Sequence, residues 1–318
     1  MDEQVDVSVV IPLYNEEGNI RELYQELHSV LHDKVFTYEI LFVNDGSSDK
    51  TGDIVQELIE RDPKITVVTF RKNFGQTAAM TAGFDYSRGK IIITMDGDLQ
   101  NDPADIPKLL DHINNGYDMV TGWRYKRQDP FLNRRLPSII ANKVISTITD
   151  VHLHDYGCTL KAFKKEVADN INLYGEMHRF IPAIASAMGV SITEVKVNHR
   201  PRIHGRSKYG ISRTFRVILD LITVKFLLSY SNRPIHIFGS LGIGSFSLGA
   251  IIALILILQR QLYNEPLADR PLLLLAVLLL FMGIQFITLG LMSELQIRTY
   301  HESQKKPIYH VKEVLRKG

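Results

Sequence analysis

Three short polar runs carry the residues of this chain that could do chemistry. The first is Asp96-Gly97-Asp98, which follows the apolar run at 91–95 and precedes Leu99-Gln100-Asn101-Asp102-Pro103. Two carboxylates one residue apart, on a turn that glycine tightens, suit a hard divalent cation, Mg²⁺ or Mn²⁺, which keeps several waters and also takes phosphate oxygens. An isolated acidic turn can equally do no more than solvate itself and cap a helix, with Asp102 at the N-cap and Pro103 as the first helical residue. The position directly behind a buried strand favours the cation. The second run is Asn44-Asp45-Gly46-Ser47-Ser48-Asp49. Ser48 or Asp49 can satisfy the donors of a following helix, but capping leaves Asp45 unexplained. An acceptor-only carboxylate at a strand end is placed to take a base N–H or a ribose hydroxyl. The third run is Tyr14-Asn15-Glu16, again just behind a strand-like segment.

Each run needs a frame, and the sequence supplies one. VDVSVVIPL at 5–13, YEILFVND at 38–45, ITVVTF at 65–70, KIIITMD at 90–96 and YDMVTG at 117–122 are short β-branched runs. Each is followed by a helix-like segment or a turn rich in Gly, Asn, Asp and Ser. This rhythm predicts an α/β domain with a mainly parallel sheet and helices on both faces. Ligands of such sheets sit beyond the carboxyl ends of the strands, so the three polar runs are expected to converge on one crevice. No G-x-G-x-x-G follows a strand and no G-x-x-x-x-G-K-[ST] occurs, which removes the main support for dinucleotide oxidoreductase and P-loop readings.

The last third has a different character. Residues 271–293 contain no charge, and 235–258 form a second run of the same kind. At about 1.5 Å per helical residue either run reaches roughly 35 Å, enough to cross a hydrocarbon core. The expected partition is a soluble domain over 1–210, an amphipathic helix in the interface plane at 211–232, two transmembrane helices within 233–293, and a basic tail at 294–318. Ser240, Gly244, Ser245 and Gly249 place small residues on the first span, where they permit close helix contact within or between chains. The tail carries Arg298, Lys305, Lys306, Lys312, Arg316 and Lys317, whereas the connector 259–270 balances its charges, so domain and tail are expected on the cytoplasmic side of the inner membrane. A formal charge of +2 with interleaved signs argues against nucleic acid as a partner. The single cysteine, Cys158, excludes an intrachain disulfide and suits a reducing compartment.

In order and spacing, VSVVIPLYNEE, VNDGSSD, NFGQTAAMTAGFD, MDGDLQNDP, DYGC, EMHRFIP and RPRIHGRSKYG resemble the family 2 glycosyltransferases of GT-A (Rossmann-like) fold that act on polyprenyl phosphates. With two C-terminal spans the chain looks like the bacterial bactoprenol glucosyltransferases of the O-antigen glucosylation type. The resemblance implies that Pro12, Tyr14, Glu16 and Asp45 hold the nucleoside, and that Asp96 and Asp98 hold the metal and diphosphate, with Gln100 beside them. From the second half it implies Asp155 in DYGC, Arg179 in MHRF, and Arg202, Ser207 and Lys208 in the loop before the membrane. The implied activity is inverting transfer of a hexose, glucose from UDP-glucose in the first instance, to undecaprenyl phosphate, by a homotetramer.

The chemistry can be written from the residues. Departure of a diphosphate places charge that cations must neutralise, and Asp96 and Asp98 would hold one. Arg202 and Lys208 can serve the diphosphate or an incoming lipid phosphate, or simply the anionic headgroups. A phosphate monoester has a second pKa of about 6, so its attacking oxygen needs no strong base. Asp155 is the candidate base or positioning carboxylate, with a buried ion pair as the other reading. Cys158 and Trp123 are read as packing, and His152 and His154 as lacking the second cluster a zinc site needs. The rivals are another donor such as GDP-mannose or a UDP-modified pentose, a processive polysaccharide synthase, and a non-catalytic scaffold that binds a nucleotide sugar. Against the synthase, the chain has no Q-x-x-R-W and few spans.

Overall fold

The computed structural model describes residues 5–125, 142, 146, 151–171, 173, 177–201, 235–263, 270–303 and 308–317. The chain divides into two compact units, Met1–Val224 with Pro307–Gly318, and Lys225–Lys306. In the first, β1 (Val7–Leu13), β2 (Tyr38–Asn44), β3 (Ile65–Phe70), β4 (Ile91–Thr94) and β5 (Met119–Arg124) are the strands the sequence predicts. Three more, β6 (Lys161–Lys164), β7 (Ile192–Val197) and β8 (Val311–Arg316), complete a sheet of order β7-β5-β6-β4-β1-β2-β3-β8. β1 pairs in parallel with β2 and β4, β2 with β3, and β5 with β7. β6 runs antiparallel between β4 and β5, and β8 antiparallel along β3. β2 is buried at every residue, which is why its middle, Ile40–Val43, is a continuous apolar run rather than an alternation, while the buried Glu39 is hydrogen-bonded to Ser8.

The helices show why the sequence folds this way. α1 (Ile20–Leu31) buries Ile20, Leu23, Leu27 and Leu31, a stripe at helical spacing, and α2 (Thr51–Arg61) buries Ile54, Val55, Leu58 and Ile59. α3 (Gln76–Tyr86) instead buries small residues all round, Thr77, Ala78, Ala79, Ala82 and Gly83 among them. A Cβ on Gly83 would lie 2.1 Å from Cγ1 of Val10, so glycine lets α3 settle directly on β1. α4 (Ile106–Asn114) is entered through a short turn, Pro103–Asp105, whose N-cap Asp102 accepts from the Ala104 amide at 3.0 Å, the capping arrangement expected from sequence. α5 (Lys165–Asn170) and α6 (Ile181–Ala187) complete the described helices of this unit.

β8 corrects the expectation of a plain basic tail. Its six residues form the edge of the sheet, and just before it the Tyr309 ring stacks on Phe70 at 5.0 Å while its hydroxyl donates to Asp85 at 2.6 Å.

In the second unit, α7 (Ile235–Tyr263) and α8 (Pro271–Ser303) contain apolar stretches, Phe238–Leu262 and Pro271–Ser293, long enough to cross a membrane. Their large side chains, such as Leu254, Leu274 and Phe281, point outward, as in a helix pair solvated by lipid. The two helices meet where Gly242 lies against Gly283 and Gly249 against Ala276. Gly249 was expected in this contact; Gly244 faces open space, and Gly242 takes its place because positions seven apart return to one helix face. α8 runs ten residues past 293, so the tail expected to begin at 294 begins as helix. The interfacial helix expected at 211–232 lies outside the described residues.

Candidate active site

β4, β1 and β2 are neighbours, so their carboxyl ends deliver Asp96, Tyr14 and Asp45 to one place. A cleft there is lined by Pro12, Tyr14, Glu16, Asp45, Asp96 and Asp98, six residues singled out in the sequence, together with Asn73, Gly75, Gln76 and Ala79 of the run NFGQTAAMTAGFD, to which no individual role was given. Asn15 takes a left-handed backbone conformation (φ +54°), and its amide donates to Ser47 Oγ at 3.0 Å while its Oδ1 accepts from the Ser48 amide at 2.9 Å. Glu16 is held through its amide to Thr51 Oγ1 at 2.9 Å and through Oε2 by Asn19 Nδ2 at 2.6 Å. The loops after β1 and β2 are thus stitched together behind Tyr14.

Asp45 is buried, and much of its hydrogen-bonding capacity goes to the loop after β3. Oδ1 accepts from the Phe74 amide at 2.6 Å, and Oδ2 from the Gly75 amide and Asn73 Nδ2, both at 2.9 Å. Burial raises its pKa and these two amides pull it back, leaving a net rise. Close approach demands glycine at 46, where φ is +64° and a Cβ would lie 2.4 Å from the Lys72 carbonyl carbon. Asp45 therefore shapes the cleft wall as well as facing the cleft.

The Asp96-Gly97-Asp98 turn is under strain that packing holds in place. Leu99, fully buried, sits at φ +61°, a left-handed conformation that costs a bulky residue about 1–2 kcal/mol. Asp98 Oδ1 accepts from the Gln100 amide at 3.2 Å, and Asp96 Oδ1 accepts from Gln76 Nε2 at 2.8 Å. Burial, and then the neighbouring Asp98 carboxylate, push Asp96 up to about 7, against the pull of the Thr159 hydroxyl, Arg124 and Lys161. Among the described residues no third His, Cys, Asp or Glu joins the pair. Two carboxylates that repel one another fit a hard divalent ion completed by water and phosphate oxygens.

Gln100 follows this turn in the chain: its carbonyl accepts from the Arg200 amide at 3.0 Å, and Asn101 bridges to His199. Arg200 itself is bound to Glu26 and Asp102, at 2.6 and 2.7 Å. Arg179 sits on the turn Met177–Phe180, which packs on the start of α3 through His178 Nδ1 and Thr77 Oγ1, 2.8 Å apart. Arg202, Ser207 and Lys208 lie outside the described residues.

Asp155 is buried in a bidentate pair: Arg124 Nε reaches Oδ2 at 2.6 Å and Nη2 reaches Oδ1 at 2.8 Å. Below it the buried Lys161 ammonium donates to the Cys158 carbonyl and, at 3.4 Å, to that of Tyr156. Burial pushes the Cys158 thiol up to about 11, so it packs and does not react. Trp123 stacks on His154 at 4.0 Å, and His154 Nδ1 lies 2.8 Å from Glu194, which gives both rings structural partners.

Residues 8–171 match the model of glycosyl transferase family 2. The chain belongs to this family. It is 42% identical to the dodecaprenyl-phosphate galacturonate synthase of Rhizobium johnstonii, over 98% of this chain and 94% of that one. It is 38% identical to the undecaprenyl-phosphate 4-deoxy-4-formamido-L-arabinose transferase of Pseudomonas fluorescens, over 98% and 90%. Among solved structures, the glucosyl-3-phosphoglycerate synthase of Mycobacterium tuberculosis, crystallised with Mn²⁺, UDP and glucosyl-3-phosphoglycerate, matches with a TM-score of 0.55 and 16% identity, over 70% of this chain and 80% of that one. That likeness gives the glycosyltransferase its fold class, a GT-A-like α/β domain, as the sequence resemblance implied.

Proposed function

We propose that this glycosyltransferase moves a sugar from a nucleoside diphosphate to a polyprenyl phosphate at the membrane, inverting the anomeric centre in a single displacement. The observation that carries the reading is the cleft, in which the acidic pair and the Tyr14–Asp45 wall lie side by side on a chain with two membrane-length apolar helices. The names of its relatives, both acting on polyprenyl phosphates, support it. Asp45 and Tyr14 bind the nucleoside, while Asp96 and Asp98 hold a divalent ion, Mg²⁺ or Mn²⁺, that supplies positive charge to the departing diphosphate. The acceptor phosphate is already ionised at neutral pH, so proton abstraction is not required. Asp155 then serves as a positioning carboxylate: its fork with Arg124 holds a guanidinium whose charge is felt at Asp96. Arg202 and Lys208 are assigned to the lipid phosphate, with Arg179 and Ser207 on the donor side.

For the donor, the relatives move the first choice away from glucose. Galacturonate and 4-deoxy-4-formamido-L-arabinose both differ from glucose at C4 and at C6, a carboxylate in the first and absent from the second, so discrimination at these two positions is the specificity proposed here. Oligomerisation, as a tetramer, belongs to the same reading. β8 follows both apolar helices and still pairs with β3, which supports domain and tail lying on one face, proposed as the cytoplasmic face of the inner membrane.

Membranes containing the chain should transfer label to undecaprenyl phosphate from one of UDP-galacturonate, UDP-4-deoxy-4-formamido-L-arabinose or UDP-glucose, and only with divalent metal. Asp98→Ala should lower that rate by at least about 100-fold, the scale on which a lost transition-state charge contact acts. Transfer that persists in chelator or in the variant refutes the metal assignment. Binding of nucleotide without turnover, across the whole donor panel, favours the scaffold.

A further inference from the structure

The loop between β3 and α3 joins the two acidic sites of the cleft. Asn73, Phe74 and Gly75 are bound to Asp45, and the next residue, Gln76, donates to Asp96 Oδ1 at 2.8 Å. Gln76 opens α3, and Gly75 before it has φ +95°, a conformation that sets the direction in which the helix and its first side chain leave the loop. A carboxylate has about four acceptor positions, so a donor fixed on Oδ1 decides which of them remain for another ligand. The donor is also neutral. A lysine or arginine in its place would neutralise the acidic pair from within the protein, whereas an amide orients Asp96 and leaves the pair's repulsion for a cation to relieve.

We propose that Gln76 is a positioning residue for the cation site: by fixing the orientation of Asp96 it sets how tightly the Asp96–Asp98 pair holds a divalent ion. This rests on the assignment of that pair to a metal. It also makes the loop 73–76 a link between the nucleoside wall and the acidic turn.

The test is Mn²⁺ binding to the purified full-length chain, read from the electron paramagnetic resonance signal of free Mn²⁺ in the presence of UDP. Gln76→Ala should weaken Mn²⁺ binding by about 10- to 100-fold, the range typical when a residue that orients a metal ligand is removed. Its melting temperature in chelator should stay at the wild-type value. Gln76→Lys should weaken binding at least as much, because its ammonium competes for the same oxygens. If Asp98→Ala abolishes Mn²⁺ binding but both Gln76 variants bind as wild type does, the role of Gln76 is overturned and the metal assignment stands. Should Asp98→Ala bind Mn²⁺ as wild type does, the assignment itself falls. A Gln76→Ala protein that melts early in chelator makes the residue a structural one and overturns the proposal.

Discussion

Asp96 and Asp98 are one residue apart in the chain, yet their surroundings differ, and the difference should be measurable. Burial and the neighbouring charge raise the Asp96 pKa to about 7, so below that pH the folded protein keeps a proton that an arriving cation must displace. Mn²⁺ affinity should therefore rise roughly tenfold per pH unit up to about 7 and level off above it. The cation-free protein should show the opposite trend in stability. A raised carboxyl binds its proton more tightly folded than unfolded, so stability falls as pH climbs from about 4, the unfolded value, towards 7. Affinity that is flat between pH 5.5 and 7 in a Mn²⁺ titration would contradict this. Sequence gave access to Asp45, Asp96 and Asp98 because each stands directly behind a β-branched run. It held Asn73 and Gln76 only inside the run NFGQTAAMTAGFD, with no role, and did not name Arg124 as the ion-pair partner of Asp155, because their partners lie 28, 20 and 31 positions away and are brought together only by the sheet.

At the scale of elements, close approach of α3 to β1 makes Gly83 a sensitive position. Gly83→Ala would drive a methyl into Val10, and overpacking of this kind costs typically 1–3 kcal/mol, to be read as a lowered midpoint in thermal or denaturant unfolding. An unchanged midpoint would mean the helix can slide away. β8 offers a second test. Deleting residues 308–318 removes the Tyr309–Phe70 stack and leaves the β3 edge open, so the protein should lose at least the roughly 2–3 kcal/mol of one buried aromatic side chain and aggregate in size-exclusion chromatography. Of the six parallel strands, β1 to β5 were legible as apolar β-branched runs, whereas β7, ITEVKV, is mostly half-buried and carries Glu194 and Lys196. β6 has four residues and begins and ends with lysine, while β8, VKEVLR, carries the charges that protect a sheet edge, so neither has the pattern of a strand when read alone.

For the whole molecule, two apolar helices between a domain and its own edge strand fix a pattern of access. In a Cys158→Ser background, a cysteine at Glu265 should react with a membrane-impermeant maleimide applied to intact cells, and one at Glu313 should react only after lysis. Labelling of both from outside would reverse the proposed orientation. The position of β8 also sets an order of events during synthesis. β1 through β7 leave the ribosome before either apolar helix, but their last neighbour is encoded some 110 residues after β7 ends, beyond both helices. Throughout that interval the β3 flank of the nascent domain lacks its partner, so the sheet cannot be completed until both apolar helices have been made.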